Sequence, residues 1–220
     1  MSSDALATTS ETAATSAQTQ PPADRMPRNR RQEETFRKVL AAAMETMREN
    51  SFADLTVRMV AARAKVAPAT AYTYFSSKNH LIAEVYLDLV RQVPYFTDVN
   101  DPMRTRVEQA LRHLALVVAD EPEVGAACTA ALLGGGTDPA VRAVRDRIGA
   151  EIHRRIASAI GPGAEAGTVS ALQMAFFGAL VQAGSGEITY HEIADRLAGV
   201  VNLILTGAGF GNRAEKDGDA

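Results

Sequence analysis

Apolar side chains along this chain recur at three- and four-residue spacing, and its Val and Ile residues follow that period rather than alternating. The pattern predicts an all-α protein of about nine helices, with no strand and no internal repeat. From about Arg31 to Asn50, the residues Phe36, Leu40, Ala43, Met44 and Met47 make one stripe, and Phe52 and Leu55 pack the turn that follows. Two short helices come next. Thr56 can cap the first, its hydroxyl accepting from an unpaired amide of the opening turn, and Val57, Val60, Ala61 and Ala64 give it a narrow apolar face. The second, Ala67 to Phe75, opens with Pro68, whose missing N–H costs nothing there. Its expected buried pair is Tyr72 and Phe75, with Ala69, Thr70 and Thr73 facing outward. Ser76 or Ser77 then caps a longer helix, about Ser77 to Val93, burying Leu81, Val85 and Leu89 and stopped by Pro94.

The remainder divides at Pro and Gly. Asp101-Pro102 opens a helix through Ala119, with Val107, Leu111, Leu114 and Val118 on one side. Pro122 opens another, ending at Gly134-Gly135-Gly136. Asp138-Pro139 starts a helix to about Ile160 whose polar face carries Arg142, Arg145, Arg147, Arg154 and Arg155. After Gly161-Pro162-Gly163, two helices from about Glu165 to Ala183 and Thr189 to Leu205 are nearly uncharged in their middle turns. Such helices belong inside a core or an interface. Residues 1–27 have almost no large apolar side chains and read as a disordered tail; residues 211–220 read as frayed.

The short uncharged outer side chains of the second small helix suit a DNA major groove, where they can approach base edges. Thr-Val-x-x-Val-Ala-x-x-Ala-x-Val from Thr56 to Val66, followed by Thr70-x-Tyr72-x-Tyr74-Phe75-x-Ser77-Lys78-x-x-Leu81, resembles the tetracycline-repressor-like (TetR) family of bacterial transcription regulators. The resemblance covers roughly residues 31 to 93. Three positions depart from it: Lys65 stands where Gly is usual in the turn, Ala67 where a capping Ser is usual, and Ala71 where a larger aliphatic residue is common. The resemblance implies a helix-turn-helix domain over 28–76, a connecting helix over 77–93 and a ligand-sensing, dimerising domain over 94–210.

Net charge is −3 over 220 residues, which by itself argues against a nucleic-acid partner, but its distribution does not. From Asp24 to Val93 twelve Lys/Arg face eight Asp/Glu, whereas residues 94 to 220 hold eleven against sixteen. A basic head on an acidic body fits DNA binding. The expected DNA contacts are Ala69, Thr70 and Thr73 at base edges, Thr56, Tyr72, Tyr74 and Lys78 at phosphates, and Arg58 beside them. Arg28, Arg30 and Arg31 belong either to an arm along the DNA or to a solvated helix start. The resemblance implies a double-stranded, near-palindromic operator as the partner.

For a hydrophobic small-molecule effector, the expected lining is Met103, Leu111, Leu114, Met174, Phe176 and Phe177, with His113 or Gln173 as a polar handle. The expected homodimer face is Gly178, Ala179, Leu180, Ala183, Leu197, Val201 and Ile204. The expected switch is a shift of the fourth helix, taken to be the sole link between pocket and head. His80, His113, His153 and His191 are too scattered for a metal site, no cofactor motif is complete, and no catalytic base or nucleophile stands out. The lone Cys128 reads as packing in a reducing cytoplasm. No apolar run approaches the roughly 20 residues of a membrane span. A constitutive DNA binder and a helical interaction protein stay open as alternatives, separable by sequence-specific, salt-dependent DNA retention.

Overall fold

The computed structural model describes residues 30–95 and 99–207. Among them are nine helices and no strand: α1 Arg30–Glu49, α2 Val57–Arg63, α3 Pro68–Tyr74, α4 Lys78–Gln92, α5 Met103–Leu116, α6 Pro122–Gly134, α7 Pro139–Ile160, α8 Ala166–Gly184 and α9 Tyr190–Gly207. Helices α1–α3 form a small head. α4 runs from it into a body in which α5 packs on α7 and α9, and α8 packs on α6, α7 and α9.

In the head, Val57, Val60, Ala61 and Ala64 are all buried. The Thr56 hydroxyl accepts the Met59 amide at 3.2 Å, whereas Ala67 offers α3 no side-chain cap. Lys65 sits at φ +53°, a left-handed turn that costs a non-glycine residue about 1 kcal/mol. The inner face of α3 differs from expectation. Ala71 and Phe75 are both 0% exposed, while Tyr72 is 47% exposed. Residues four apart share a helix face, so 71 and 75 point inward together and Tyr72 turns away; phase outweighs ring size. Phe75 stacks on Phe36 with centroids 5.2 Å apart, and Tyr74 meets Phe36 edge-on at 6.2 Å.

α4 is buried on several sides, with Leu81, Ile82, Ala83, Val85, Tyr86 and Leu87 all in the core, because α1, α6 and α7 surround it. The Ser77 hydroxyl caps it, accepting the His80 amide at 3.1 Å. α5 ends at Leu116 rather than Ala119, where a tight turn from the Ala119 amide to the Leu116 carbonyl (3.1 Å) replaces the helix. α7 is capped by Asp138, which accepts from the Ala140 amide at 2.9 Å. Its arginine face is not uniformly solvated, since Arg155 is only 3% exposed.

α8 corrects the membrane reading in part, because it is long and apolar enough by composition to cross a bilayer. Ser, Thr, Gly and Gln interrupt its apolar residues without introducing a charge. Val169, Leu172, Phe176, Leu180 and Ala183 are buried within the chain, and Met174 and Val181 are exposed. The expected dimer residues divide accordingly. Leu197 and Val201, at 3% and 0% exposure, belong to the chain's own core, as do Leu180 and Ala183. Ala179 and Ile204 are half-buried and Gly178 is exposed. The large apolar side chains that do reach the surface here are Met174, Val181 and Leu203.

Candidate functional site

On the head, Ala69, Thr70, Tyr72 and Thr73 form the exposed side of α3, with Thr56 and Arg58 exposed at the start of α2. The Thr73 hydroxyl donates to the Ala69 carbonyl at 3.0 Å, so its methyl and the oxygen's two lone pairs remain to meet a groove. Arg30 is exposed and pairs with Glu34 at 3.4 Å; Arg31 is exposed too. Arg28 and the two tails lie outside the described residues. Lys78 is not simply a free cation. Its ammonium donates to the Phe52 carbonyl at 2.6 Å and the Ala53 carbonyl at 3.3 Å, and lies 4.3 Å from the centre of the Phe52 ring. It therefore fastens α4 to the turn before α2. A lysine has three N–H donors, so one direction is left over.

In the body, a cavity of about 710 Å³ opens among α6, α7 and α8, with Tyr86 of α4, Val118 and Tyr190 of α9 completing its wall. Leu132, Leu133, Ile148 and Leu180 make much of it apolar. Tyr86, Cys128 and Tyr190 are 4%, 1% and 5% exposed and mark its inner end. Arg142, Arg145 and Asp146, exposed or half-buried, mark its solvent rim. Burial pushes the Cys128 thiol up to about 12, so it is not a nucleophile at neutral pH. Burial likewise raises both phenols.

This lining corrects most of the expected pocket. Of the eight expected residues, Phe177 alone lines the cavity. Leu111, Leu114 and Phe176 are 0% exposed core, and Met174 is 74% exposed. Met103 is half-buried on α5, away from this wall, and His113 borders a separate shallow groove beside Pro94. Gln173 donates to the Gly149 carbonyl at 2.9 Å, bracing α8 on α7 behind the wall. The residues missed are Tyr86, Tyr190, Arg142 and Arg145, with Cys128 set aside as packing. The available signal was a phenol on the apolar stripe of each of two helices.

The family model for bacterial regulatory proteins of the tetR family matches residues 39–85, from α1 through the first half of α4. Over 208 residues the chain is 78% identical to an HTH-type transcriptional regulator of Mycobacterium tuberculosis (strain H37Rv), covering 94% of this chain and 96% of that one. The chain belongs to the TetR family of transcriptional regulators. The same identity and coverage hold for an HTH-type regulator of Mycobacterium bovis. Among solved structures, a TetR regulator from Rhodococcus sp. RHA1 superposes with TM-score 0.68 at 21% identity, over 81% of this chain and 98% of its own. FadR from Bacillus subtilis, in complex with stearoyl-CoA, does so with TM-score 0.53 at 13% identity, over 76% and 97%.

In this TetR regulator α4 is tied to α7 at three levels. At its start, the Ser77 hydroxyl donates to Asp138 Oδ2 at 2.8 Å, so one carboxylate links the caps of both helices. In its middle, Arg147 pairs with Glu84. The Ser76 amide donates to His80 Nδ1 at 3.1 Å, which leaves the ring proton on Nε2, 3.6 Å from Glu84 Oε1. Burial pushes the Glu84 carboxyl up, but its bonds to His80 and Arg147 outweigh that and hold it below the usual range. At its end, the buried Arg155 guanidinium donates to the Val93 carbonyl at 2.8 Å, pairs with Glu151 and lies over the Tyr95 ring at 4.5 Å. α4 is not the sole link between head and body either. Arg48 of α1 forms a two-pronged pair with Glu121 at the start of α6, one contact being 2.6 Å.

Proposed function

We propose that this regulator is a cytoplasmic homodimeric repressor that leaves a near-palindromic operator when a hydrophobic effector fills the cavity among α6, α7 and α8. The single observation that carries the reading is the triple tie of α4 to α7, because α7 also supplies Ile148, Gly149 and the cavity rim. Residues 28–76 act as the reading head, 77–93 as the connector and 94–210 as the sensing and dimerising body. Ala69, Thr70 and Thr73 approach base edges. Thr56, Arg58, Tyr72 and Tyr74 hold phosphates together with the spare donor of Lys78, with Arg28, Arg30 and Arg31 beside them. The exposed apolar side chains Met174, Val181 and Leu203, with Gly178 allowing close approach, face the second copy. Two heads so paired span half-sites about 34–36 Å apart.

An effector shifts the equilibrium only by its preference for the released state; about 2.7 kcal/mol weakens DNA binding roughly a hundredfold. The stearoyl-CoA in the FadR complex and the apolar wall here both favour an effector with a large apolar part. The test is to select DNA from a random pool with the full-length protein, then to screen apolar compounds for thermal stabilisation and release of that DNA. The expected result is a palindromic consensus and at least one compound that does both. Retention of DNA without sequence preference contradicts the reading-head assignment. Compounds that bind the cavity yet leave DNA affinity unchanged contradict the switch.

A further inference from the structure

The inner end of the cavity holds two phenols, neither with a hydrogen bond of good geometry. Tyr86 and Tyr190 are both more than nine-tenths buried, both line the cavity, and neither hydroxyl has a hydrogen-bond partner. The Tyr190 hydroxyl lies near Thr129 but without a bond of good geometry. It is also pressed against Gly125, where a Cβ would overlap the phenol ring. Leaving one buried polar group unpaired is costly, and two of them on side chains that line one cavity call for a partner that completes both. At the opposite, solvent end Arg142 and Arg145 stand three residues apart on α7, next to Asp146, giving the rim one net positive charge. Among the described residues neither Arg142 nor Arg145 makes an ion pair, and Arg145 donates a long bond to the Leu132 carbonyl, 3.3 Å.

We propose that the cavity binds an amphipathic carbonyl compound, with a neutral carbonyl oxygen accepting from both Tyr86 and Tyr190 and a single carboxylate at Arg142 and Arg145. The apolar body of the molecule lies along Leu132, Ile148, Phe177 and Leu180. The orientation follows from charge. No cation lines the inner end, and an ionised group buried there loses its hydration without compensation. The two phenols stay neutral donors at physiological pH, since burial raises both. A carbonyl oxygen has two lone pairs, one for each hydroxyl. The cavity's volume is in the range that encloses a drug-sized ligand. This inference rests on the cavity being the effector site.

The experiment uses three probes on the full-length protein, by titration calorimetry: 10-oxoundecanoate, undecanoate, which lacks the ketone, and 2-undecanone, which lacks the carboxylate. Two hydrogen bonds to otherwise unpaired donors predict that 10-oxoundecanoate binds about tenfold or more tighter than undecanoate. Tyr86→Phe with Tyr190→Phe abolishes that preference, while the melting temperature of the ligand-free protein stays level or rises. Phenols serving only the fold would lower it instead. Arg142→Gln with Arg145→Gln abolishes the preference for 10-oxoundecanoate over 2-undecanone. Equal affinity of the wild type for 10-oxoundecanoate and undecanoate, or a preference that survives in the double Phe variant, overturns the proposal, as does failure of all three probes to bind. DNA release is read separately. Carbonyl-dependent binding that leaves DNA affinity untouched supports this chemistry and removes the effector reading; release by ligands indifferent to the phenols does the reverse.

Discussion

Apart from the arginines at and before the start of α1, the DNA-contact candidates of the head lie between Thr56 and Lys78, most of them exposed on two short helices, whereas the cavity of the body runs from Tyr86 to Tyr190 and its inner polar groups are buried. A head side chain on the outer face of α3 can be exchanged without touching the core beneath it. A body side chain at the cavity or at the α4–α7 contact both shapes the site and holds the fold. Function and stability are therefore separable in the head and coupled in the body, and substitutions on either side test that difference.

The largest effect belongs to Arg155, whose guanidinium pairs with Glu151 and takes the Val93 carbonyl in a nearly sealed setting. Removing one partner of a buried pair costs about 3–5 kcal/mol, so Arg155→Ala is expected to lower unfolding free energy by about 3 kcal/mol in urea titration. Retention of full stability would show that the tie at the end of α4 adds nothing to the packing around it. In the head, Thr70→Ala is expected to cost about 1–2 kcal/mol of affinity for the selected DNA, with no change in melting temperature. A matching loss on random DNA would move Thr70 from base edge to backbone. Lys65→Gly removes the left-handed strain at φ +53° and is expected to stabilise the head by up to about 1 kcal/mol. A fall in stability would mean that the Lys65 side chain outweighs its backbone cost.

The smallest effect is that of pH across the neutral range. Ser77 above all holds the Asp138 carboxyl below its ordinary 3.8, and Glu84 is held below 4.5 by His80 and Arg147 against its burial. A carboxylate lowered on folding adds stability that is fully present above its unfolded value and is lost as pH falls through the folded one. The α4–α7 ties should therefore contribute equally from pH 8 to about 5 and weaken only below the ordinary carboxylate range. Melting curves that decline already between pH 7 and 5 would contradict that.

Much of the head was legible because its signals are local. The Thr56 cap depends on neighbours within four residues, while the left-handed Lys65 and the missing cap at Ala67 fall where the chain departs from the family pattern. Tyr72 misled, because a large aromatic residue was given priority over the phase set by Ala71 and Phe75. The body was legible as helices but not as a site. α8 is apolar nearly all round, so its pattern cannot say which side meets the core, a void or another molecule; Phe176 went to the core and Phe177 to the cavity. Arg147 and Arg155 looked like members of a solvated face because their partners, Glu84 and the Val93 carbonyl, lie some sixty positions away.

The central claim, that α7 carries the state of the cavity to the head through α4, is tested most directly by the ratio of DNA affinities without and with bound ligand. The ligand to use is the apolar compound that most raises the melting temperature of the wild type. Arg147→Met with Glu84→Gln removes the middle tie without stranding a buried charge and leaves the cavity wall intact. The account predicts unchanged ligand affinity but a release factor reduced from roughly a hundredfold to tenfold or less. An unchanged release factor in a variant that still binds the ligand would contradict it.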